Sequence, residues 1–237
     1  MSEFWEETLP AGYYDNILLN GLKKNRGVQP NWHNLTFIEV SKLINQDSKH
    51  LDYACGPGTL VGNYLKCDSI GVDISDKQID YAKNKYGKNF YTIKEFDKIP
   101  KNEKKFDVIT ILGLFEFLTD EEILFTVNKL HEMLNEGGKI IFTTLNNESS
   151  MKYLEKIISL FGPVDYGHQH INKLSISKLS RLFQNINFHD IEIKKIHNYG
   201  IFFSFITINF GKIINNFFKK FKITNNGFLI LGVLKKL

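Results

Sequence analysis

Two cysteines, Cys55 and Cys67, are all that the 237-residue chain contains. That is too few for a disulfide framework, and a reducing compartment with free thiols is the expectation. Arginine is as scarce: Arg26 and Arg181 stand alone against a background of lysine. Arginine is the residue that grips phosphates and base edges in a planar, bidentate way. Nucleic acid is therefore not the expected partner, despite a net charge of +4. No run reaches the roughly 18 apolar residues that span a bilayer. The longest candidate, IFFSFITINFGKII, is broken by Asn209, Gly211 and Lys212. The first residues, MSEFWEETLP, are acidic and hold no apolar stretch, so no secretory signal is expected and the cytoplasm is the expected location. The chain as a whole is 43% hydrophobic and 24% charged, which is globular and not disordered composition.

What is present alternates. Residues 1–46 form a polar and aromatic arm that ends in a helical spacing of Leu35, Ile38, Val40 and Leu43. From His50 onward, short apolar runs read as strands: HLDYA, SIGVDI, NFYTI, FDVITIL and KIIFTTL, then HDIEIKKI and GFLILGVL. Helical patterns lie between them, at about 75–86, 119–134, 150–160 and 175–186. Ser75 with Gln78, and Thr119 with Glu122, have the spacing of capping boxes. The glycines of NEGG suit the C-terminus of the helix before them. Strand–helix alternation predicts an α/β fold, a doubly wound and mostly parallel sheet of seven strands, with the last two strands as an antiparallel edge hairpin. The expected organisation is an arm or lid over 1–46 and one domain over 47–237, with an insert at about 200–223.

The stretch HLDYACGPGTLVGNYL joins a buried strand to a helix through a glycine turn, the front half of a nucleotide-binding βαβ unit. A dinucleotide turn needs G-x-G-x-x-G beside a pyrophosphate. Here Gly56 and Gly58 are present, but Val61 stands in the third position and Pro57 removes a backbone donor. Both argue against a nicotinamide oxidoreductase. No G-K-S/T follows, so this is not a P-loop.

The same stretch resembles the first motif of class I S-adenosylmethionine-dependent methyltransferases, a strand ending in D-x-G/A-C-G-x-G, met here from Asp52 to Gly58. The resemblance extends over about residues 30–195 and implies S-adenosyl-L-methionine as cofactor. It places Asp52, Tyr53, Ala54, Cys55, Gly56 and Gly58 around the cofactor's methionyl and ribose portions. Asp73, at the end of the second strand, would accept from the ribose hydroxyls, with Ile74 and Gln78 beside it. Glu95 and Phe96 of KEFDKIP would meet the adenine, with Asp97 close by, and Leu112 would line the site under the methyl group. Cys55 is expected as a small packed residue and not as a nucleophile. His33 lies near the place where related quinone methyltransferases keep an arginine for the cofactor's carboxylate. Trp5 and Trp32 are expected in the core or the lid.

Amino-group methyltransferases carry a D/N-P-P-Y/F turn after the fourth strand, where this chain has LGLFEF. The resemblance is nearer to small-molecule O-methyltransferases of the ubiquinone and type-11 groups. It implies a hydroxyl acceptor such as a sugar, a lipid precursor or a quinone-like ring. A base would then be His168, His170 or Glu116. The His168-x-His170 pair has no cysteine or acidic cluster to supply a third ligand, so no metal is expected. The quinone enzymes carry a MEMLEH-like loop, of whose metal-linked acids and histidine this chain keeps Glu116 alone, beside Gly113 and Phe117. The rival of another class is a non-catalytic protein that binds S-adenosylmethionine. The insert at 201–222 carries Ile206, Phe210, Ile213, Ile214, Phe217 and Phe221 at helical spacing among lysines. It reads either as a helix on a membrane surface or lipid-linked acceptor, or, more simply, as a cover helix packed on the sheet edge.

Overall fold

The computed structural model describes residues 8–87, 89–149, 170–221 and 227–237. Among them, one seven-stranded sheet has the order β3-β2-β1-β4-β5-β7-β6. Its strands are β1 Lys49–Tyr53, β2 Asp68–Asp73, β3 Phe90–Thr92, β4 Phe106–Leu112, β5 Leu134–Leu145, β6 Asp190–Ile196 and β7 Leu229–Lys235. β1 to β5 run parallel, and β7 pairs antiparallel with both β5 and β6. The late hairpin is therefore not a simple add-on. β7 inserts between β5 and β6 because its run from Leu229 to Leu234 is apolar on both faces and buried. Half-exposed β6 takes the edge, where Asp190 and Glu192 pair with Lys235 at 2.8 and 2.6 Å.

The helices are α1 Tyr13–Lys23, α2 Val28–Ser41, α3 Thr59–Asn63, α4 Asp76–Tyr86, α5 Ile93–Asp97, α6 Asp120–His131, α7 Ile176–Leu182 and α8 Ile208–Lys220. They cover both faces. One core gathers Leu51, Ile109, Ile111 and Phe142 of the sheet with Ile123, Val127 and Leu130 of α6. On the opposite face Val108, Ile141 and Leu231 meet Val40 of α2 and Leu60 of α3. Alternation along β4 sends neighbours to opposite cores, and each such buried side chain contributes about 1.5–3 kcal/mol. The winding reverses between β1 and β4, and in open α/β sheets that switch point is where a ligand sits.

Local signals are realised with two differences. Thr119 and Glu122 form a complete capping box at α6. At α4 only half forms: Ser75 accepts from the Gln78 amide, while the Gln78 side chain turns to the arm. The NEGG glycines do not end α6, which stops at His131. Gly137 and Gly138 lie inside β5, where its pairing with β4 is interrupted by a register shift and Gly137 takes a φ of 71°. The helix expected at 150–160, most of the linker after it, His168 and Trp5 lie outside the described residues.

Candidate active site

The turn after β1 is left-handed at Ala54, Gly56 and Gly58, with φ of 63°, 52° and 76°. Pro57 between the two glycines is held near −65° by its ring, about the only freedom it has. The loop is closed against β2. The Gly56 amide donates to Asp73 Oδ2 at 2.7 Å, the Ser75 amide to Asp73 Oδ1 at 2.9 Å, and the Cys55 amide to the Val72 carbonyl at 3.0 Å. The glycines serve different ends. A Cβ on Gly56 would meet nothing within 4 Å, so this position borders open space. A Cβ on Gly58 would stand 2.5 Å from the Phe90 ring and 3.0 Å from Ala82 Cβ. Gly58 lets α3 and α4 close over Phe90; Gly56 leaves the space beside the loop open.

Beneath the loop runs a buried polar chain. The Thr110 hydroxyl donates to Asp52 Oδ1 at 2.6 Å, and His50 Nε2 lies 2.9 Å from the same hydroxyl oxygen. With the hydroxyl proton committed to the carboxylate, His50 Nε2 is the donor to Thr110. Burial pushes the Asp52 carboxyl up to about 7, the charge of Asp73 adds to this, and the bond from Thr110 opposes it. Burial lowers His50 to about 3, so its ring is neutral. Burial, and then the charges of Asp73 and Asp52, raise the Cys55 thiol well above its usual value. The thiol packs with Ile79, Ala82 and Phe90, which is an inert setting. Tyr53 and Leu112 are half-buried at the carboxyl ends of β1 and β4. Ile74, next to Asp73, is 50% exposed.

The arm is fastened to this loop. Asp15 of α1 is 0% exposed and accepts from the hydroxyls of Thr59 at 2.9 Å, Tyr81 at 2.8 Å and Tyr86 at 2.7 Å, and from Lys85 Nζ. Gln78 adds a second tie: its Oε1 accepts the Gly12 amide at 2.9 Å and its Nε2 donates to the Pro10 carbonyl at 3.0 Å. His33 of α2 lies between Tyr14 and Phe37, with centroids 5.5 and 6.2 Å away. Burial lowers it to about 4, so it offers an N–H donor and no cation near neutral pH. Trp32 packs against His197 and Phe228.

On the α5 turn the side chains already have partners within the protein. Thr92 and Glu95 form a complete capping box, and Glu95 also pairs with Lys83 at 3.0 Å. The bond from the Thr92 amide and the Lys83 ammonium together hold the Glu95 carboxyl below its usual range. The Phe96 ring is buried in the core beside Phe106, with Lys104 Nζ 4.7 Å from its centroid. Asp97 is exposed and faces Lys129 at 3.6 Å.

Below β4 the chain makes a 3-10 turn, Phe115–Phe117, that buries Glu116. Glu116 Oε2 accepts the Thr144 hydroxyl of β5 at 2.8 Å. The Asn172 amide donates to the Glu116 carbonyl at 3.1 Å, and Asn172 Nδ2 donates to the Leu118 carbonyl at 2.8 Å. These bonds bring the segment from His170 onto the same turn, where the His170 ring meets Phe117 edge-on at 4.9 Å. Two of the expected bases thus share one locality. Among the described residues no group of His, Cys, Asp and Glu is placed to hold a metal ion.

A family model described as a methyltransferase domain matches residues 30–193. The chain belongs to that family. The methyltransferase is 27% identical over 169 residues to the ubiquinone biosynthesis O-methyltransferase of Coxiella burnetii, covering 67% of this chain and 71% of that one. It is 28% identical over 160 residues to malonyl-[acyl-carrier protein] O-methyltransferase 1 of Ilyobacter polytropus, covering 62% and 58%. Among solved structures, the plantazolicin methyltransferase BamL, determined with a triazolic desmethylPZN analog and SAH, superposes with a TM-score of 0.61 at 18% identity over 99% of this chain and 94% of the other. A SAM-dependent methyltransferase of Archaeoglobus fulgidus gives 0.57 at 19% identity, covering 86% and 94%. At such identities the superpositions show the fold, which is the Rossmann-like class I methyltransferase sheet.

Several residues that shape the methyltransferase's site escape sequence reading. Thr92-x-x-Glu95 is a capping-box spacing and was visible in principle. Gly71 sits inside a strand pattern, which signals a close approach; a Cβ there would lie 2.5 Å from the Phe90 ring. Thr110, Thr144 and Asp15 carry no local signal, because their partners lie 28 or more residues away.

Proposed function

We propose that the protein is an O-methyltransferase that moves the methyl group of S-adenosylmethionine to a hydroxyl of a small molecule, of the sugar, lipid-precursor or quinone-like kind. One observation carries this reading. The loop after β1 is left-handed at Ala54, Gly56 and Gly58, locked to Asp73, and open above Gly56 at the sheet's switch point. The residues present fit the cofactor. A carboxylate accepts at about four positions, so bonds from a ribose diol to Asp73 are compatible with its two amide bonds. Ile74 presents apolar surface beside it for a base. Glu95 and Phe96 on the α5 turn are the proposed neighbours of that base's edge, and Leu112 lines the floor. The backbone from Tyr53 to Gly58, with Asp52 below it and His33 on the arm side, surrounds the methionyl end, and Gln78 stands beside Asp73 at the ribose. When bound, the cofactor supplies an electrophilic methyl group on a sulfonium.

The protein's own work is to orient the acceptor oxygen, exclude water and take a proton. The arm, fastened through Asp15 and Gln78, acts as the cover. Glu116 and His170, brought together at the Phe115–Phe117 turn, are the proposed proton acceptors, together with His168. The LGLFEF turn, which lacks the amide-and-proline motif of amino-group enzymes, supports oxygen as the acceptor atom. So do the names of the two curated relatives given above. The free thiols Cys55 and Cys67 support a cytoplasmic setting.

Calorimetric titration with S-adenosylhomocysteine, followed by turnover against a panel of hydroxylated acceptors, tests the reading. His168→Ala, His170→Ala and Glu116→Gln should each keep cofactor affinity. The one that removes the base should lower turnover by about 10²–10⁴. Tight cofactor binding with no turnover of any hydroxyl would favour the non-catalytic alternative.

A further inference from the structure

The apolar stripe of α8 points away from the body of the protein. Its buried side is Ile208, Gly211 and Asn215. It packs on the 3-10 segment Tyr199–Phe205 so closely that a Cβ on Gly211 would reach Ser204 Oγ at 2.0 Å, and one on Gly200 would reach the Asn215 amide nitrogen at 2.3 Å. Asn198 and Asn215 lock the pair, with Asn198 Nδ2 donating to the Asn215 carbonyl at 3.1 Å. The unit is then bolted to the arm: the Gly27 amide donates to the Ser204 carbonyl at 2.8 Å, Asn31 Nδ2 to Ser204 Oγ at 2.7 Å, and Arg26 Nε to the Phe205 carbonyl at 2.7 Å. Polar groups, glycines and Ile208 thus hold α8 in place, and the large side chains on its other face are left outside. Ile213 is 64% exposed, Phe217 52% and Phe221 57%, with Phe210 on the same face. An exposed contiguous aromatic face on a firmly held helix marks an interaction surface.

The charge around this face selects the partner. From Ile193 to Leu237 the chain has no aspartate or glutamate. Lys220 borders the aromatic row on α8 itself, while Lys212 and Lys219 lie on the side away from it and Lys219 faces Glu39 of α2 at 3.5 Å. Two such faces brought together would set lysines against lysines, which disfavours a second copy of the chain. Among the described residues no helix is long and apolar enough to cross a membrane.

We propose that this face lies on an anionic membrane surface. Phe210, Ile213, Phe217 and Phe221 enter the boundary between headgroups and acyl chains, Lys220 at the border of the row meets the lipid phosphates, and the acid-free stretch from Ile193 onward adds a basic field. The surface is separate from the proposed methyl-transfer site and does not depend on it.

Co-sedimentation of the full chain with phosphatidylglycerol–phosphatidylcholine vesicles, and with phosphatidylcholine alone, tests this. Binding should occur with the anionic vesicles and weaken as salt rises. Phe217→Asp and Ile213→Asp, at exposed positions, should each reduce it about tenfold or more while circular dichroism shows an unchanged fold. Lys220→Glu should reduce binding to the anionic vesicles alone. Absence of binding to anionic vesicles overturns the proposal, as does equal binding of the Phe217→Asp protein. A dimer in sedimentation equilibrium that Phe217→Asp converts to monomer would assign the face to self-association instead. Cofactor titration is read separately, so failure of either idea leaves the other standing.

Discussion

The backbone amide of Gly56 donates to Oδ2 of Asp73 at 2.7 Å, joining the turn after β1 to the end of β2. Asp73 therefore both shapes the loop and faces the ligand proposed to lie in it. Asp73→Ala should remove charge-assisted bonds of about 1.5–3 kcal/mol each. S-adenosylhomocysteine affinity should fall at least about tenfold, with the fold retained by circular dichroism. Unchanged affinity in a calorimetric titration would overturn the cofactor assignment.

Gly56 and Gly58 separate binding from stability. Gly56→Val places a side chain in open space at a φ of 52°, a backbone strain of about 1–2 kcal/mol. It should abolish cofactor binding more completely than Asp73→Ala while unfolding stays cooperative. Gly58→Ala drives its Cβ to 2.5 Å from Phe90 and adds overpacking of about 1–3 kcal/mol. Its signature should be a lowered melting temperature. Normal S-adenosylhomocysteine binding by Gly56→Val would mean that this loop is not the cradle.

Asp15 holds the arm. Its removal in Asp15→Ala leaves Thr59, Tyr81 and Tyr86 without their buried acceptor, at a cost of about 3 kcal/mol or more. Urea unfolding should show that loss. Cofactor affinity should drop with it, because Thr59 opens the helix that follows Gly58. A variant as stable as the parent would show that the arm is not tied down there.

Acid should destabilise the protein from about pH 6.5 downward. Burial lowers His33 to about 4, and His50 and His197 to about 3, from the ordinary 6.5. Between those values the unfolded chain binds more protons, so stability rises with pH and is lost as pH falls. Asp52, raised to about 7 from 3.8, has the opposite slope, and the histidines outweigh it. Melting temperatures should fall steadily between pH 6.5 and about 4.5. In Asp52→Asn that fall should steepen, and the protein should melt higher than the parent above pH 7. A melting temperature flat with pH across this window would show that these histidines protonate in the folded state without penalty.

Much of the site was legible because its chemistry is written within a few neighbouring residues. The run from Asp52 to Gly58 is an apolar strand, a small residue and glycines in sequence, and positive φ at Gly56 and Gly58 follows from that order alone. Asp73 could be placed because strand, turn and capping serine succeed one another. The alternation of periods along the chain was enough for a doubly wound sheet.

The sequence by itself determined the strands, most of the helices among the described residues and the glycine turn, because period, capping and turn chemistry act over a few bonds. Only the tertiary structure decided which groups meet across the chain. It gave the Gln78 side chain to Pro10 and Gly12, the Asp15 carboxylate to Thr59 and Tyr86, and the Glu95 carboxylate to Lys83. It also turned the phenylalanines of α8 outward, because Gly200 and Gly211 allow a backbone approach that no side-chain pattern on α8 alone specifies. Such contacts depend on how close two distant segments come once the sheet has closed, and that distance is set by the packing of every element between them.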